Sequence, residues 1–174
     1  MSIVHPIPPV FDEDSTVLIL GSFPSVRSRA EGFFYGHPQN RFWRVTAAVF
    51  HVPVPGSVAE KKDFLHSCGI ALYDVIGSCE IVGSSDSSIR QVVPTDLTPI
   101  LTGSRVRRIF TNGTAADTLY RKYQFPSIGI PAVRLPSTSP ANAAWSAERL
   151  IEAWKEIAKE SQDTVWKNQQ YYAP

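Results

Sequence analysis

The sequence predicts an α/β fold, a mostly parallel sheet covered by helices on both faces, and three observations carry that prediction. Short apolar runs without polar alternation recur along the chain, as strands buried on both faces require. Stretches of helical periodicity separate them, so strand and helix alternate. Two of the turns that leave strands, Gly21-Ser22-Phe23-Pro24-Ser25 and Leu135-Pro136-Ser137-Thr138-Ser139, are rich in Gly, Pro and small hydroxyls. In a parallel sheet such turns lie outside the carboxyl ends of the strands, where ligands bind.

The elements follow in order. Thr16-Val17-Leu18-Ile19-Leu20, ended by Gly21, reads as a buried strand, and an aromatic loop follows it. A helix is expected from Pro38, a residue suited to a first helical turn, burying Phe42, Val45 and Val49 on one face. Val58 to His66 has helical periodicity and runs to Gly69. Ile70 to Ile76 reads as the next strand, and the Ser- and Gly-rich stretch from Gly77 to Ser88 as a loop. Thr95 is expected to cap a short helix through Leu101, closed by Gly103. Val106 to Phe110 forms a third strand candidate, Thr111-Asn112-Gly113-Thr114 leads into a helix through Tyr123, and Ala132 to Leu135 forms a fourth strand. From Ala141 onward, Trp145, Leu150, Ile151, Trp154 and Ile157 make one apolar stripe opposite Glu148, Glu152, Lys155 and Glu156, an amphipathic helix. Residues 1–12 and 162–174 read as irregular tails of a single domain.

Composition narrows the function classes. The chain has 174 residues, 43% hydrophobic and 19% charged, ordinary for a globular protein with a real core. No apolar run approaches the roughly 20 residues that span a bilayer. Met1 to Phe11 lacks the basic and apolar regions of a secretory signal, and Cys68 and Cys79 are the only cysteines. A cytoplasmic protein with reduced thiols is expected, and no metal or cofactor. The net charge is +1, so nucleic-acid binding would rest on local groups of cations, such as Arg105, Arg107 and Arg108, or Arg27 with Arg41 and Arg44.

Two segments carry the chemistry. If Pro38 opens a helix, Asn40 is its third residue and leans back toward the pocket. A carboxamide there can accept a hydrogen bond from water and donate to a ligand, or simply cap the helix. It is no strong base, so a hydrolase relying on it needs a bond that breaks largely by itself, as glycosidic bonds do through an oxocarbenium-like state. Phe23, Phe34 and Tyr35 can wall a slot for a planar base, or pack in the core. His37 can assist a leaving base or brace the loop. Farther on, Pro140 stands where a helix would start with Ser139 as its cap. Ser137, Thr138 and Ser139 would then face an anion at the positive end of the dipole. Leu135 stands at the rim of the site or in the strand, and Asn112 faces the pocket or belongs to a capping turn. The Gly-x-Ser-x-Gly spacing of a serine hydrolase is missing.

The turn Gly21-Ser22-Phe23-Pro24-Ser25, the stretch Gly36-His37-Pro38-Gln39-Asn40-Arg41-Phe42-Trp43 and the turn Leu135 to Asn142 together resemble the uracil-DNA glycosylase superfamily, most of all its hypoxanthine (deoxyinosine) branch. The likeness runs over nearly the whole chain in element order. It implies a three-layer α/β/α fold and excision of a deaminated base from double-stranded DNA, the target nucleotide being flipped into the pocket. Asn40 would position the water, because the turn after the first strand offers Ser22, Phe23 and Ser25 where relatives carry Asn or Asp. Phe23 would stack on the base, with Ser22, Tyr35, Gln39 and Asn112 around it. Ser25, Leu135, Ser137, Thr138 and Ser139 would hold phosphates and fill the gap in the duplex. Many relatives carry His or Asn at the Leu135 position, so efficient uracil excision is not implied. A monomeric, monofunctional glycosylase leaving an abasic site is the expectation. The alternatives are a uracil or G:U mismatch glycosylase and a non-catalytic nucleic-acid or nucleotide binding module.

Overall fold

Four apolar strands lie side by side in parallel at the centre of the molecule, and the computed structural model describes them within residues 1–159. The elements in chain order are β1 (Ile3–Val4), β2 (Val17–Gly21), α1 (Val26–Glu31), α2 (Phe42–Val49), α3 (Val58–Ser67), β3 (Ile70–Asp74), β4 (Ile76–Glu80), β5 (Arg90–Pro94), α4 (Thr98–Thr102), β6 (Arg108–Asn112), α5 (Thr114–Tyr123), α6 (Phe125–Ile128), β7 (Ala132–Leu135) and α7 (Ala147–Trp154). The parallel sheet has the order β3-β2-β6-β7. Its direction of growth reverses between β2 and β6, which opens a crevice above their carboxyl ends.

Side-chain alternation along the strands divides the core in two. Val17, Ile19, Ile70, Leu72 and Phe110 point to the face covered by α2, α3 and α7, where they meet Phe42, Phe64, Leu150 and Trp154. Leu18, Leu20, Ala71 and Ile109 point to the opposite face, against Ile100 of α4 and Tyr120 of α5. Because every residue of β2 is buried, the strand needs apolar side chains on both faces, which is the run seen in the sequence. The fold is thus the expected three-layer α/β/α arrangement.

Several boundaries differ from the expectations, each for a physical reason. Ile3–Val4 is no tail: it pairs antiparallel with Cys79 and Ser78 of β4, and Val10 bridges Leu72. The stretch read as one loop after Gly77 instead contributes β4, which with β5 and β1 makes a small antiparallel sheet. Arg90–Pro94 is mostly exposed, so it shows no apolar run to betray it. The aromatic loop contains α1, whose N-cap is Ser25. Thr95 does not cap α4; its hydroxyl donates to the Asp74 carbonyl at 2.7 Å. Neither Pro38 nor Pro140 opens a helix. The helices start at Phe42 and Ala147, and the second is capped by Ser146. The tail expected at 162–174 lies outside the described residues.

Candidate functional site

The carboxyl ends of β2, β3 and β6, with the loops after β2 and β7, enclose a cavity of about 380 Å³, within the usual size range of small-molecule sites. Its wall includes Phe23, Phe34 and Tyr35, so the slot expected from the loop aromatics exists. Phe23 keeps 8% of its surface exposed and meets the His5 ring edge-on at 5.7 Å. Phe42, expected on the buried face of its helix, is a core residue, as is its neighbour Trp43.

Asn40 also lines the cavity, but not from the third position of a helix. It sits in the turn before α2, where its Oδ1 accepts from the Phe42 backbone N–H at 2.9 Å. The same oxygen accepts from the Thr138 hydroxyl at 2.9 Å. Two donors use both lone pairs of a carbonyl oxygen, so no acceptor is left for a water. What Asn40 offers the cavity is its NH₂. This corrects the accepting role expected for it: the oxygen holds the turn before α2, whose N-cap is Arg41, and the NH₂ is left to face a ligand.

Thr138 ties three segments together. It is fully buried, and its N–H donates to Asn112 Oδ1 while its Oγ1 accepts from Asn112 Nδ2, both at 3.0 Å. It therefore positions the two amides and is not free for a phosphate, contrary to expectation. Nor does Asn112 cap α5; that N-cap is Gly113, with φ of 93° and no side-chain cap. Arg41 finishes the assembly. Its guanidinium donates to the carbonyls of Trp145, of Ser139 at 3.0 Å and of Asn142 at 3.1 Å, and its N–H donates to the Thr138 carbonyl. An arginine read as a candidate DNA cation is spent on holding the second loop against the first.

Other expected site residues divide. Ser22, Ser25, Ser137 and Ser139 line the cavity. Their hydroxyls are engaged locally: Ser22 with Asp86, Ser25 with Ser28, Ser137 with the Ser139 N–H and Ser139 with the Ala141 N–H. With α7 starting at Ala147, no helix dipole points at Ser137 or Ser139. Gln39 is exposed and away from the cavity wall, because the turn at His37 to Asn40 directs it outward. Leu135 is 4% exposed in the main core; strand alternation turns it toward α2 and α7, so it is no wedge. His37 braces its turn, its Nδ1 accepting from the Gln39 N–H.

Two carboxylates, which the sequence reading did not place, face the cavity. Asp74 ends β3, is 4% exposed and binds His5 Nε2 through Oδ2 at 2.7 Å. Since the Ile7 N–H donates to His5 Nδ1, the ring proton sits on Nε2 and points at Asp74. Asp86 accepts from the Ser22 hydroxyl at 2.8 Å. Its outer side is exposed, but desolvation of the carboxylate pushes its pKa up, Ser22 opposes the rise, and Asp74 adds to it. An acid ending an apolar parallel strand was a readable signal for Asp74. Asp86 had none, standing in a Ser-rich loop. Alongside runs a more open groove that shares Ser137 and Ser139 and carries exposed Arg134.

No family model matches the chain. It is 33% identical over 155 residues to the hypoxanthine DNA glycosylase of Methanosarcina acetivorans, a match covering 86% of this chain and 94% of that protein. To the hypoxanthine DNA glycosylase of Methanosarcina barkeri it is 33% identical over 84 residues, 48% of this chain and 53% of that one. A solution NMR structure from Methanosarcina acetivorans, described as a uracil DNA glycosylase, superposes with a TM-score of 0.75 at 28% identity, over 91% of this chain and 100% of the other. The chain belongs to the hypoxanthine DNA glycosylases of the uracil-DNA glycosylase superfamily.

Proposed function

We propose that this protein is a DNA repair glycosylase that hydrolyses the N-glycosidic bond of deoxyinosine in double-stranded DNA and leaves an abasic site. The observation that carries the reading is the cavity itself: an aromatic wall at Phe23, a fixed amide donor at Asn40 and a carboxylate at Asp86. A flipped purine lies against Phe23. As the bond between sugar and base breaks, its electron pair leaves with the base, whose freed ring nitrogen takes up a proton from solvent. The Asn40 NH₂ holds the oxygen of a water, which closes on the cationic sugar carbon, and the water's proton passes to Asp86. A carboxylate close to an oxocarbenium-like centre also stabilises its charge. No lysine lines the cavity among the described residues, which favours hydrolysis alone over strand cleavage through an amine adduct. We read the protein as a monomer acting in the cytoplasm. Its free Cys68 and Cys79 fit that compartment, and no helix among the described residues is long and apolar enough to cross a membrane.

Single-turnover assays on matched duplexes containing inosine, uracil or xanthine test the reading. Inosine is expected to be cleaved fastest; uracil cleaved faster than inosine would replace the favoured substrate, and binding without any abasic product would make the protein a binding module. Two further outcomes are expected. The acid limb of the rate should lie above the ordinary carboxylate value of 3.8, because only ionised Asp86 takes the proton and its pKa is raised. Asp86→Asn should cost about 10²-fold and flatten that limb. Arg134→Ala should weaken binding to all duplexes alike and lower the log–log salt slope by about 1, as loss of one phosphate contact does.

A further inference from the structure

The floor of the cavity holds two polar atoms for which the fold supplies no partner. Tyr35 Oη is buried and has no hydrogen-bond partner. Asp74 spends Oδ2 on His5, while its Oδ1 meets no donor among the described side chains. The two atoms flank the Cα of Gly21: a Cβ placed there would fall well inside contact distance of Asp74 Oδ1 and stand 3.0 Å from Tyr35 Oη. The Asn112 amide lies beside the same hydroxyl and lowers its pKa as a donor to its oxygen does, while the O–H itself has no acceptor. Burial first, and Asp74 second, hold the Tyr35 hydroxyl protonated far above its usual range. Tyr35 is therefore a donor and Asp74 an acceptor, side by side at the bottom of a slot.

Their placement is built and costly. Tyr35 adopts φ of 52°, a region that costs a non-glycine residue strain, and it stacks on Phe42 at 4.1 Å with the rings 16° apart. An unsatisfied buried hydroxyl is a further cost. Strain and unpaired polar groups gathered at one spot in a cavity mark a place prepared for a ligand.

We propose that Asp74 Oδ1 and Tyr35 Oη together read the lactam edge of the flipped base, Asp74 accepting from its ring N–H and Tyr35 donating to the adjoining carbonyl. The proposal rests on the glycosylase reading above for the way the base arrives. Hypoxanthine carries N1–H beside C6=O and satisfies both groups. Adenine carries an acceptor N1, which would face the acceptor oxygen of Asp74, and an amine in place of the carbonyl to which Tyr35 donates. Deamination is what creates the lactam, and this pair recognises that change directly. A site built to hydrogen-bond a group rejects the analogue lacking it strongly, because its own buried atoms are then left unpaired. Uracil also presents a lactam, so the pair separates deaminated bases from their parents and leaves ring size to the walls. Guanine shares the lactam too; it is kept out by the cost of flipping a well-paired base.

Binding of free bases, followed by NMR or calorimetry, tests this without turnover. The wild-type protein should bind hypoxanthine at least ~10-fold more tightly than adenine or 1-methylhypoxanthine, in which a methyl replaces the N–H that is read. Tyr35→Phe should weaken hypoxanthine binding about 10-fold with an unchanged or higher Tm, since an orphan hydroxyl is removed and the stacked ring stays. Asp74→Asn can keep the His5 bond through its oxygen and turn an NH₂ to the slot. It should lose about 10²-fold for hypoxanthine while gaining for adenine, a reversal that misfolding cannot imitate. Equal binding of hypoxanthine and 1-methylhypoxanthine by wild type, no binding of hypoxanthine, or wild-type selectivity in both variants would overturn the proposal. Selective binding of hypoxanthine by a protein that cleaves no inosine duplex would instead remove the glycosylase reading and leave this one standing.

Discussion

Asn40→Ala is expected to lower single-turnover excision of inosine by about 10²–10³, the loss typical of removing one fixed donor from a reacting centre, while binding to abasic-site duplex is retained. The side chain also holds the turn before α2, accepting from the Phe42 N–H and the Thr138 hydroxyl, so alanine should reduce stability by about 1 kcal/mol as well. Asn40→Asp separates the two effects. Its carboxylate can still accept from Phe42 and Thr138, which keeps the turn, but it presents an oxygen to the cavity in place of the NH₂. A protein with Asp at this position should melt near the wild-type temperature and excise as poorly as the alanine variant. Wild-type rates in either variant would show that the amide donor takes no part.

Gly21→Ala is the second large effect. Gly21 ends β2 at the floor of the cavity and hydrogen-bonds Val75 through its carbonyl at 2.8 Å. Its φ is not in the left-handed region, so backbone strain is not the issue; space is. The added methyl would stand against Asp74 Oδ1 and Tyr35 Oη. Asp74 cannot swing aside freely, because its other oxygen is held by His5 at 2.7 Å. Displacing a site by a fraction of an ångström to an ångström costs about 10²-fold in rate, and kcat/KM should fall by at least that. Loss in kcat/KM with the fold intact by circular dichroism is the expected result. An alanine variant that excises normally would mean that the base never approaches this floor.

The layers of the fold were legible because burial on both faces leaves an unbroken apolar run, as in Val17 to Leu20, and because the α7 stripe repeats at helical spacing. The small sheet was not: β5 is largely exposed and Ile3–Val4 is a two-residue strand, so neither carries a pattern that competes with loop. In the site, residue types in the two loops pointed to Asn40, Phe23 and Tyr35. Their chemistry depends on partners far away in sequence. Asn40 is oriented by Thr138, 98 positions on, Ser22 meets Asp86 across 64, and His5 meets Asp74 across 69. Spacing along a chain does not encode such pairs. That is why Asn40 was read as able to accept from water when both lone pairs are taken, and why the site was read as lacking a carboxylate near Phe23. Helix starts at Pro38 and Pro140 were plausible by residue type, yet the first lies in a turn that binds the second loop through Arg41. The helix dipole expected behind Ser137 to Ser139 is absent, because α7 starts at Ala147.

The central claim is that this cavity breaks the bond between deoxyribose and a deaminated base. The most direct measurement incubates wild-type protein in excess over a duplex with a single deoxyinosine and follows free base by chromatography and strand scission with and without alkali. The account predicts stoichiometric release of hypoxanthine, with the strand intact until alkali cleaves the abasic site. Stable duplex binding with no free base over hours, or strand breakage without alkali, would contradict it.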